Sequence, residues 1–290
     1  MNSMINALLP FYQEPLVTLT PTVAVSLFAI IGLLIGSFLN VVIHRLPLMI
    51  QAQWNEQARD FLDLPRDVQI PLSLIKPQSQ CPNCQHKIRA YENIPIISWL
   101  LLGRKCSHCK GAITARYPVV EALTALASAV VVMQLGVTVE SVLVLIITFH
   151  LIAIGFIDYD HKIIPDALVL PLLWLILLCS AIGFPLSPSE SITGAATGYL
   201  SLWGVAQGYK IWRKIDAIGH GDFKLLAVFG AISGWETLFT TITLASIVGL
   251  IFALPLLIKG SNLQTTIPFG PAIAIAGWMT LLFKPWLIVY

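Results

Sequence analysis

Gly219-His220-Gly221-Asp222-Phe223-Lys224 is the stretch on which the interpretation of this chain depends, because it places a carboxylate between two apolar runs of membrane-helix character. An ionisable residue in such a position is costly and by default indicates a functional site. The flanking glycines allow a sharp turn or a close approach of the backbone to a substrate. We therefore expect Asp222 to lie at a bend that starts a helix. The structural alternative is that Asp222 only caps that helix.

The composition is that of a membrane protein. The 290 residues have a mean hydropathy of +0.81, and only 11% of them are charged, whereas ordinary soluble domains contain about 25%. We therefore predict an all-α polytopic membrane protein in a lipid bilayer. The net charge of +2 and the lack of a basic stripe with interleaved aromatic residues argue against a nucleic-acid partner.

Eight segments are predicted to span the membrane, since a span needs roughly 20 apolar residues. They are 22–43, 117–135, 139–157, 167–185, 191–209, 223–235, 237–258 and 268–287. No Lys or Arg precedes the first, so it is not a cleavable signal peptide. Its Gly32-x-x-x-Gly36 motif predicts close helix packing, and Asn40 must find a partner. The short segment 223–235 predicts a half-length or tilted helix beside a cavity.

The predicted organisation has three parts: an amino-terminal segment with the first span (1–43), a hydrophilic insertion (44–116) and a seven-helix membrane domain (117–290). The insertion contains ten Lys and Arg residues against five Asp and Glu residues, which predicts a cytoplasmic location. The remaining loops agree with this orientation. The basic residues on the same side are Lys162, Lys210, Arg213, Lys214, Lys224 and Lys259, and the opposite loops carry Glu140, Glu190 and Glu236. Only Lys284 is predicted on the outer side.

Two C-x-x-C pairs in the insertion predict a metal site. Cys81 and Cys84 are separated by 21 residues from Cys106 and Cys109. This spacing is typical of a tetrahedral Zn²⁺ site, and four sulfur ligands leave no open position, so the zinc would be structural. So small a domain usually needs such a staple. The alternative is a redox-active pair of dithiols.

A second acidic cluster ends the third predicted span, in the sequence Phe156-Ile157-Asp158-Tyr159-Asp160-His161-Lys162-Ile163-Ile164-Pro165-Asp166. Asp158 falls at the end of a helix, where the helix dipole opposes a carboxylate. A structure seldom accepts this without a use for it, so Asp158 is the preferred functional residue. Asp160 is second, and Asp166 is interpreted as the N-cap of the next helix.

Asp158 and Asp222 together predict an acid/base pair, because their helix-end environments have opposite polarity. In an aspartic protease, one carboxyl activates water while the other polarises the scissile carbonyl. Two alternatives remain at this point. One is a buried polar contact between helices, and the other is a proton relay in a transporter.

These motifs resemble those of the type IV prepilin peptidases across nearly the whole chain. The matching stretches are Gly36-Ser37-Phe38-Leu39-Asn40-Val41-Val42-Ile43-His44-Arg45-Leu46-Pro47, the two cysteine pairs, Glu92-Asn93-Ile94-Pro95-Ile96-Ile97-Ser98-Trp99-Leu100, Arg116-Tyr117-Pro118-Val119-Val120-Glu121, Phe156 to Asp166, Gly219 to Lys224, and Pro268-Phe269-Gly270-Pro271.

The resemblance implies a GxGD-type aspartic protease of the bacterial inner membrane, with Asp158 and Asp222 as its catalytic pair. Its substrates are type IV prepilins and type II secretion pseudopilins, cleaved after a Gly at the cytoplasmic face. The new N-terminal residue, usually Phe, is then methylated from S-adenosylmethionine. No Gly-rich loop follows a strand as in a Rossmann-type site, so the sequence does not assign the donor-binding residues. The alternative function is a non-catalytic membrane assembly or proton-coupled transport protein.

Overall fold

A computed structural model describes residues 15–65, 72–215, 219–258 and 268–287, and the chain there is helical. Its eight long helices are α1 (Pro21–Phe61), α2 (Arg116–Leu135), α3 (Val139–His161), α4 (Asp166–Ala181), α5 (Pro188–Arg213), α6 (His220–Ser233), α7 (Leu238–Ile258) and α8 (Gly270–Leu287). Short helices at Ala90–Asn93, Ile97–Leu101 and Trp235–Thr237 accompany them. The predicted all-α class is therefore confirmed.

Each long helix overlaps one predicted span, and four regions of the described chain have the length and hydropathy to cross a membrane. These are α1, α2, α3 and Trp235–Leu254, while α4 and Gly270–Phe283 are shorter apolar helices. The helix extends beyond the first predicted span, because α1 continues from residue 43 to Phe61. Its 41 residues correspond to about 60 Å, twice a typical hydrocarbon core. Pro47 is accommodated inside this helix.

The first compact unit, Leu19–Met133, contains α1, α2 and the cysteine-rich segment between them. At the predicted glycine motif, a Cβ on Gly32 would lie 2.6 Å from Ser128 Oγ, and one on Gly36 would lie 2.7 Å from Glu121 Cα. Small residues therefore let the two helix backbones approach closely, as predicted. Asn40 is buried and donates a hydrogen bond to the Tyr117 carbonyl at 3.1 Å, which is the partner it was expected to need.

The second unit contains helices α3 to α8, and α6 lies at its centre. Helix α6 packs against α4, α5 and α8, and every residue from Leu225 to Ser233 is buried. A helix that is apolar on all sides belongs in a core. Its 14 residues span only about 21 Å, which agrees with the short helix predicted at 223–235. Asp222 is thereby held at one end of a rigid, buried element.

Cys179 is partly buried and packs against the core of the second unit. Residues 1–14 of the predicted amino-terminal segment and the basic residue Lys259 lie outside the described residues.

Candidate active site

Asp158 lies in the last turn of α3. The helix ends at His161, and Lys162 adopts a left-handed conformation while its N–H donates to the Asp158 carbonyl at 2.9 Å. This is a common way to end a helix. The Asp158 side chain is 6% exposed. The predicted placement of a buried carboxyl at a helix C-terminus is therefore correct.

Asp222 lies in the first turn of α6, which begins at His220 after the N-cap residue Gly219. Its side chain is 8% exposed. The Gly219 N–H interacts with the carboxyl, while Asp222 Oδ1 is buried without a hydrogen-bond partner among the described residues. A buried acceptor without a partner is costly, and such groups in native proteins call for a functional explanation.

Contacts of two glycines and Ile164 bring the carboxyls of Asp158 and Asp222 near each other. The Gly270 N–H, at the start of α8, donates to Asp158 Oδ2 at 2.9 Å. The Ile164 side chain packs against both Gly270 and Gly221, where added Cβ atoms would lie 3.0 and 2.6 Å from it. Asp158 also acts electrostatically on Asp222. One helix C-terminus and two helix N-termini therefore meet around the pair.

This arrangement has the chemical parts of an aspartic hydrolase. Two buried carboxyls interact, and each has a backbone N–H partner, Gly270 for Asp158 and Gly219 for Asp222. Asp222 Oδ1 remains an acceptor that no described group occupies. Such a pair can take a proton from water and give one to a carbonyl oxygen. The buried acceptor at Asp222 Oδ1 favours this chemistry over a packing contact between helices.

The neighbouring titratable residues have environments of their own. Asp160 is exposed. The prediction that Asp166 is an N-cap was wrong by one position, because Pro165 occupies the N-cap and Asp166 is the first helical residue. Asp166 instead binds Lys224 through both carboxylate oxygens, at 2.6 and 2.8 Å. His220 packs edge-on against the Phe223 ring at 5.4 Å.

The four predicted cysteine ligands form a cluster in the first unit. Their sulfur atoms all lie within 4.8 Å of one another. The Cys81–Cys109 and Cys84–Cys106 sulfur pairs are 3.8 and 4.0 Å apart. Sulfurs bound at 2.3 Å around one tetrahedral Zn²⁺ would be roughly 3.8 Å apart. The donor set therefore fits a metal ion.

Two equivalent turns build this cluster. Cys81 N–H donates to the His86 carbonyl and Cys106 N–H donates to the Gly111 carbonyl, both at 2.9 Å. Each turn is flanked by a β-bridge, Gln80 with Lys87 and Lys105 with Ala112. Within the first turn, backbone N–H groups of Cys84 and Asn83 lower the pKa of the Cys81 thiol to about 7. The backbone of the first turn thus favours the thiolate form of Cys81, which is the form that ligates a metal.

The histidines near the cysteines are not part of the cluster. His86 and His108 stack on each other with their ring centroids 5.0 Å apart. The four cysteine sulfurs by themselves complete a tetrahedral donor set.

Sequence reasoning did not assign the contact between Gly270 and Asp158. The two residues are 112 positions apart, and only the fold brings them together. The stretch Pro268-Phe269-Gly270-Pro271 was a signal in the sequence, because a glycine between prolines at a helix start indicates a backbone under special constraint. That pattern did not indicate that Asp158 is the partner of the Gly270 N–H.

Two family models match the chain in succession. Residues 30–135 match the bacterial peptidase A24 N-terminal domain, and residues 145–254 match the type IV leader peptidase family. The first match covers the cysteine cluster, and the second covers both Asp158 and Asp222.

Several curated proteins with the name prepilin leader peptidase/N-methyltransferase are similar to this chain over most of their length. The proteins from Stutzerimonas stutzeri and Pseudomonas aeruginosa are each 48% identical over 88% of this chain, which covers 89% and 88% of their own lengths. The protein from Neisseria gonorrhoeae is 41% identical over 88% of this chain and 89% of its own. No solved structure matches the chain.

Proposed function

The chain belongs to the type IV leader peptidase family, and from this premise we propose that it cleaves type IV prepilins and methylates the new N-terminus. The peptidase assignment rests on one observation. Asp158 and Asp222, two buried carboxyls from different helices, interact with each other, and Asp158 accepts a hydrogen bond from the Gly270 N–H. We extend the substrates to type II secretion pseudopilins, which share the form of a leader followed by an apolar helix.

Asp158 and Asp222 are the proposed catalytic pair. Asp222 Oδ1, buried and without a described partner, draws a proton from the attacking water. Asp158, oriented by the Gly270 N–H, donates a proton to the scissile carbonyl oxygen. The tetrahedral intermediate collapses as its C–N bond breaks, Asp222 gives the proton from water to the leaving amine, and the proton on the former carbonyl oxygen returns to Asp158. Each positioned acid or base contributes roughly 10²–10⁴-fold to such a reaction.

The second reaction transfers a methyl group from S-adenosylmethionine, which serves as a substrate, to the N-terminal amine that cleavage releases. The names of the relatives support it. Methyl transfer needs a bound donor and a neutral amine, but no activated water. The two reactions therefore use different chemistry and can be separated by mutation.

The proposed ion in the cysteine cluster is one structural Zn²⁺. Cys81, Cys84, Cys106 and Cys109 would hold it, and with four sulfur ligands it supplies folding energy to the segment rather than a reactive position. This fits a segment whose described part has few buried apolar residues.

The proposed setting is the bacterial inner membrane, with eight transmembrane helices. The proposed division keeps 1–43, 44–116 and 117–290 as amino-terminal, zinc-binding and catalytic parts. The insertion and both aspartates face the cytoplasm, because the basic residues concentrate in the loops on that side. The Asp158–Asp222 pair, called the dyad below, would thus lie at helix ends on the cytoplasmic side. This position suits a substrate whose leader is soluble and whose following segment is embedded in the membrane.

The test is incubation of the detergent-purified protein with a prepilin-like peptide and S-adenosylmethionine, followed by mass spectrometry of the N-terminus. Cleavage after the leader Gly and addition of one methyl group are expected. An uncleaved peptide, with proton flux in reconstituted vesicles, would favour the transport alternative instead. The family membership and the dyad geometry both argue against that alternative.

A further inference from the structure

A cavity of about 410 Å³ lies in the first unit, and none of its lining residues is one of the two aspartates. It opens between the cytoplasmic part of α1, the start of α2 and the cysteine-rich segment. Small-molecule sites generally have volumes of roughly 300–1,000 Å³. Ser37, Asn40, Trp99, Tyr117 and Glu121 are among the residues that line it. The cavity thus combines aromatic walls with a few polar groups, as ligand sites do.

Glu121 places a buried carboxylate in the lining of this cavity. It is 7% exposed, and Oε2 accepts a hydrogen bond from the Ile96 N–H at 2.8 Å. Ser37 provides a second hydrogen bond. Within the described chain the carboxylate has no ion pair with a basic side chain. A carboxylate has about four acceptor sites, so it can still bind a cationic or N–H-bearing group.

The surrounding backbone is built to hold this carboxylate. Gly36 brings α1 to within contact of the Glu121 backbone, where an added Cβ would lie 2.7 Å from Glu121 Cα, and the next residue is Ser37. Ile96 has φ of +59°, which is a strained conformation for a β-branched residue. Strain of this kind persists where surrounding structure enforces it and clusters at functional sites. Here it accompanies the N–H that Ile96 donates to Glu121.

We propose that this cavity is the methyl-transfer site and that Glu121 accepts the proton of the substrate's N-terminal ammonium. This inference rests on the proposed methyltransferase function. The ammonium has no lone pair and cannot attack, so it first gives a proton to the Glu121 carboxylate. The neutral nitrogen then forms a bond to the methyl carbon, while the S–CH₃ bond breaks and its electrons stay on sulfur. The product is a secondary ammonium with S-adenosylhomocysteine, and Glu121 releases its proton to water.

The other titratable groups around the cavity come from three elements. They are His44 and Arg45 on α1, Tyr117 on α2, and His86 and Glu92 in the segment between, together with the metal-binding Cys81 and Cys106. The Arg45 guanidinium is engaged with the carbonyls of Ser73, Leu74 and Pro77. Only Glu121 is both a carboxylate and nine-tenths buried.

The test uses the full-length protein, S-adenosylmethionine and a precleaved peptide that begins with Phe. Glu121→Gln keeps an oxygen for the Ile96 N–H but cannot take a proton. We expect its methylation rate at pH 7 to fall about 10–100-fold. The loss should shrink at pH 9, because a free α-amino group loses its proton near pH 8. The matched control is Ser128→Ala on the same helix, buried outside the cavity, which should methylate as the unmodified protein does.

The possible outcomes distinguish a failure of the proposed methyltransferase function from a failure of the Glu121 assignment. If the unmodified protein cleaves but never methylates the peptide, the proposed methyltransferase function fails. If it methylates and Glu121→Gln matches it, the Glu121 assignment is overturned. A constant loss at every pH, or a loss confined to a higher KM for S-adenosylmethionine, would overturn the role as proton acceptor. Cleavage of a full-length precursor by the same preparation checks that the variant is folded.

Discussion

At the scale of single residues, the candidate dyad differs in what its two carboxyls touch. Asp158 has a backbone donor from another helix, whereas Asp222 keeps a buried oxygen without a described partner. Because the first oxygen is occupied and the second is not, the two carboxyls are suited to different tasks. This asymmetry supports separate roles in protonating the scissile carbonyl oxygen and in activating water.

Replacement of either aspartate should abolish cleavage. Asp158→Asn and Asp222→Asn retain side-chain size but remove proton exchange, so we expect peptide cleavage to fall by at least about 10³-fold. Methylation of a precleaved peptide should persist in both variants, since it needs no activated water. Asp160→Asn is the matched control, because Asp160 is exposed two positions from Asp158. Cleavage by either dyad variant at the unmodified rate would contradict the assignment, as would its loss in the Asp160 variant alone.

Gly270 should tolerate no side chain. A Cβ at this position would lie 2.6 Å from Asp158 Oδ2 and 3.0 Å from Ile164 Cδ1. Gly270→Ala should therefore displace the carboxyl and lower the cleavage rate by about 10²-fold, because small misplacements of reacting groups have effects of this size. Gly204→Ala, where an added Cβ meets nothing within 4 Å, should leave cleavage unchanged. Full activity in the Gly270 variant would show that this contact does not position Asp158.

At the scale of helices, the position of Asp222 depends on how closely α5 approaches α6. A Cβ on Gly194 would collide with the Gly230 carbonyl, and one on Gly230 would collide with the Gly194 carbonyl. A Cβ on Gly198 would lie 2.6 Å from the Leu226 carbonyl oxygen. Only small residues permit this contact between backbones. The buried helix that holds Asp222 is thus fixed along its length by its neighbour.

A larger residue at this contact should destabilise the helix bundle. Gly194→Val forces α5 away from α6, and overpacking of this kind typically has an effect of about 1–3 kcal/mol. We expect a lower midpoint of thermal unfolding in detergent and a parallel loss of cleavage. Gly208→Val adds the same atoms on the same helix, at a position where a Cβ meets nothing within 4 Å. Equal midpoints for the two variants would rule out the contact as a source of stability.

The helices were largely predictable from hydropathy, but their ends and mutual contacts were not. The end of α1 was missed because His44, Arg45 and Pro47 resemble the end of a span, yet the helix continues to Phe61. Polar residues can remain helical after a helix leaves the hydrocarbon core of the membrane. Hydropathy identifies the apolar part of such a helix but does not show how far the helix extends beyond it. Asp158 and Asp222 were identifiable because charge is rare in apolar segments. The Gly270 N–H was not, because its role depends on a tertiary contact.

At the scale of the whole molecule, removal of the metal should affect one unit first. The cysteine cluster belongs to Leu19–Met133, whereas the dyad belongs to the second unit. We expect one Zn²⁺ per chain, lost in Cys81→Ser, with faster proteolysis of the segment between α1 and α2. Cys179→Ser, a thiol outside the cluster, should retain the zinc. Elemental analysis without zinc in freshly purified, unchelated protein would exclude this metal.

The orientation of the whole chain follows from where its charges lie. Ten basic residues in 44–116 and further Lys and Arg residues in three later loops are predicted on one side, whereas Glu140, Glu190 and Glu236 mark the other. Basic loops stay on the cytoplasmic side because their transfer across the membrane is disfavoured. The orientation also determines whether the dyad can meet a substrate's cytoplasmic leader.

Labelling with a membrane-impermeant thiol reagent tests this orientation in intact spheroplasts. A cysteine at Glu236, which is exposed beside α7, should react from outside. A cysteine at Asp60, exposed near the end of α1, should react only after the membrane is permeabilised. The unmodified protein gives the background from its five cysteines. Labelling of position 60 in intact spheroplasts would show that the orientation is the opposite of the predicted one. Asp158 and Asp222 would then lie away from the compartment that contains the substrate's leader, even if the purified enzyme cleaved peptides normally.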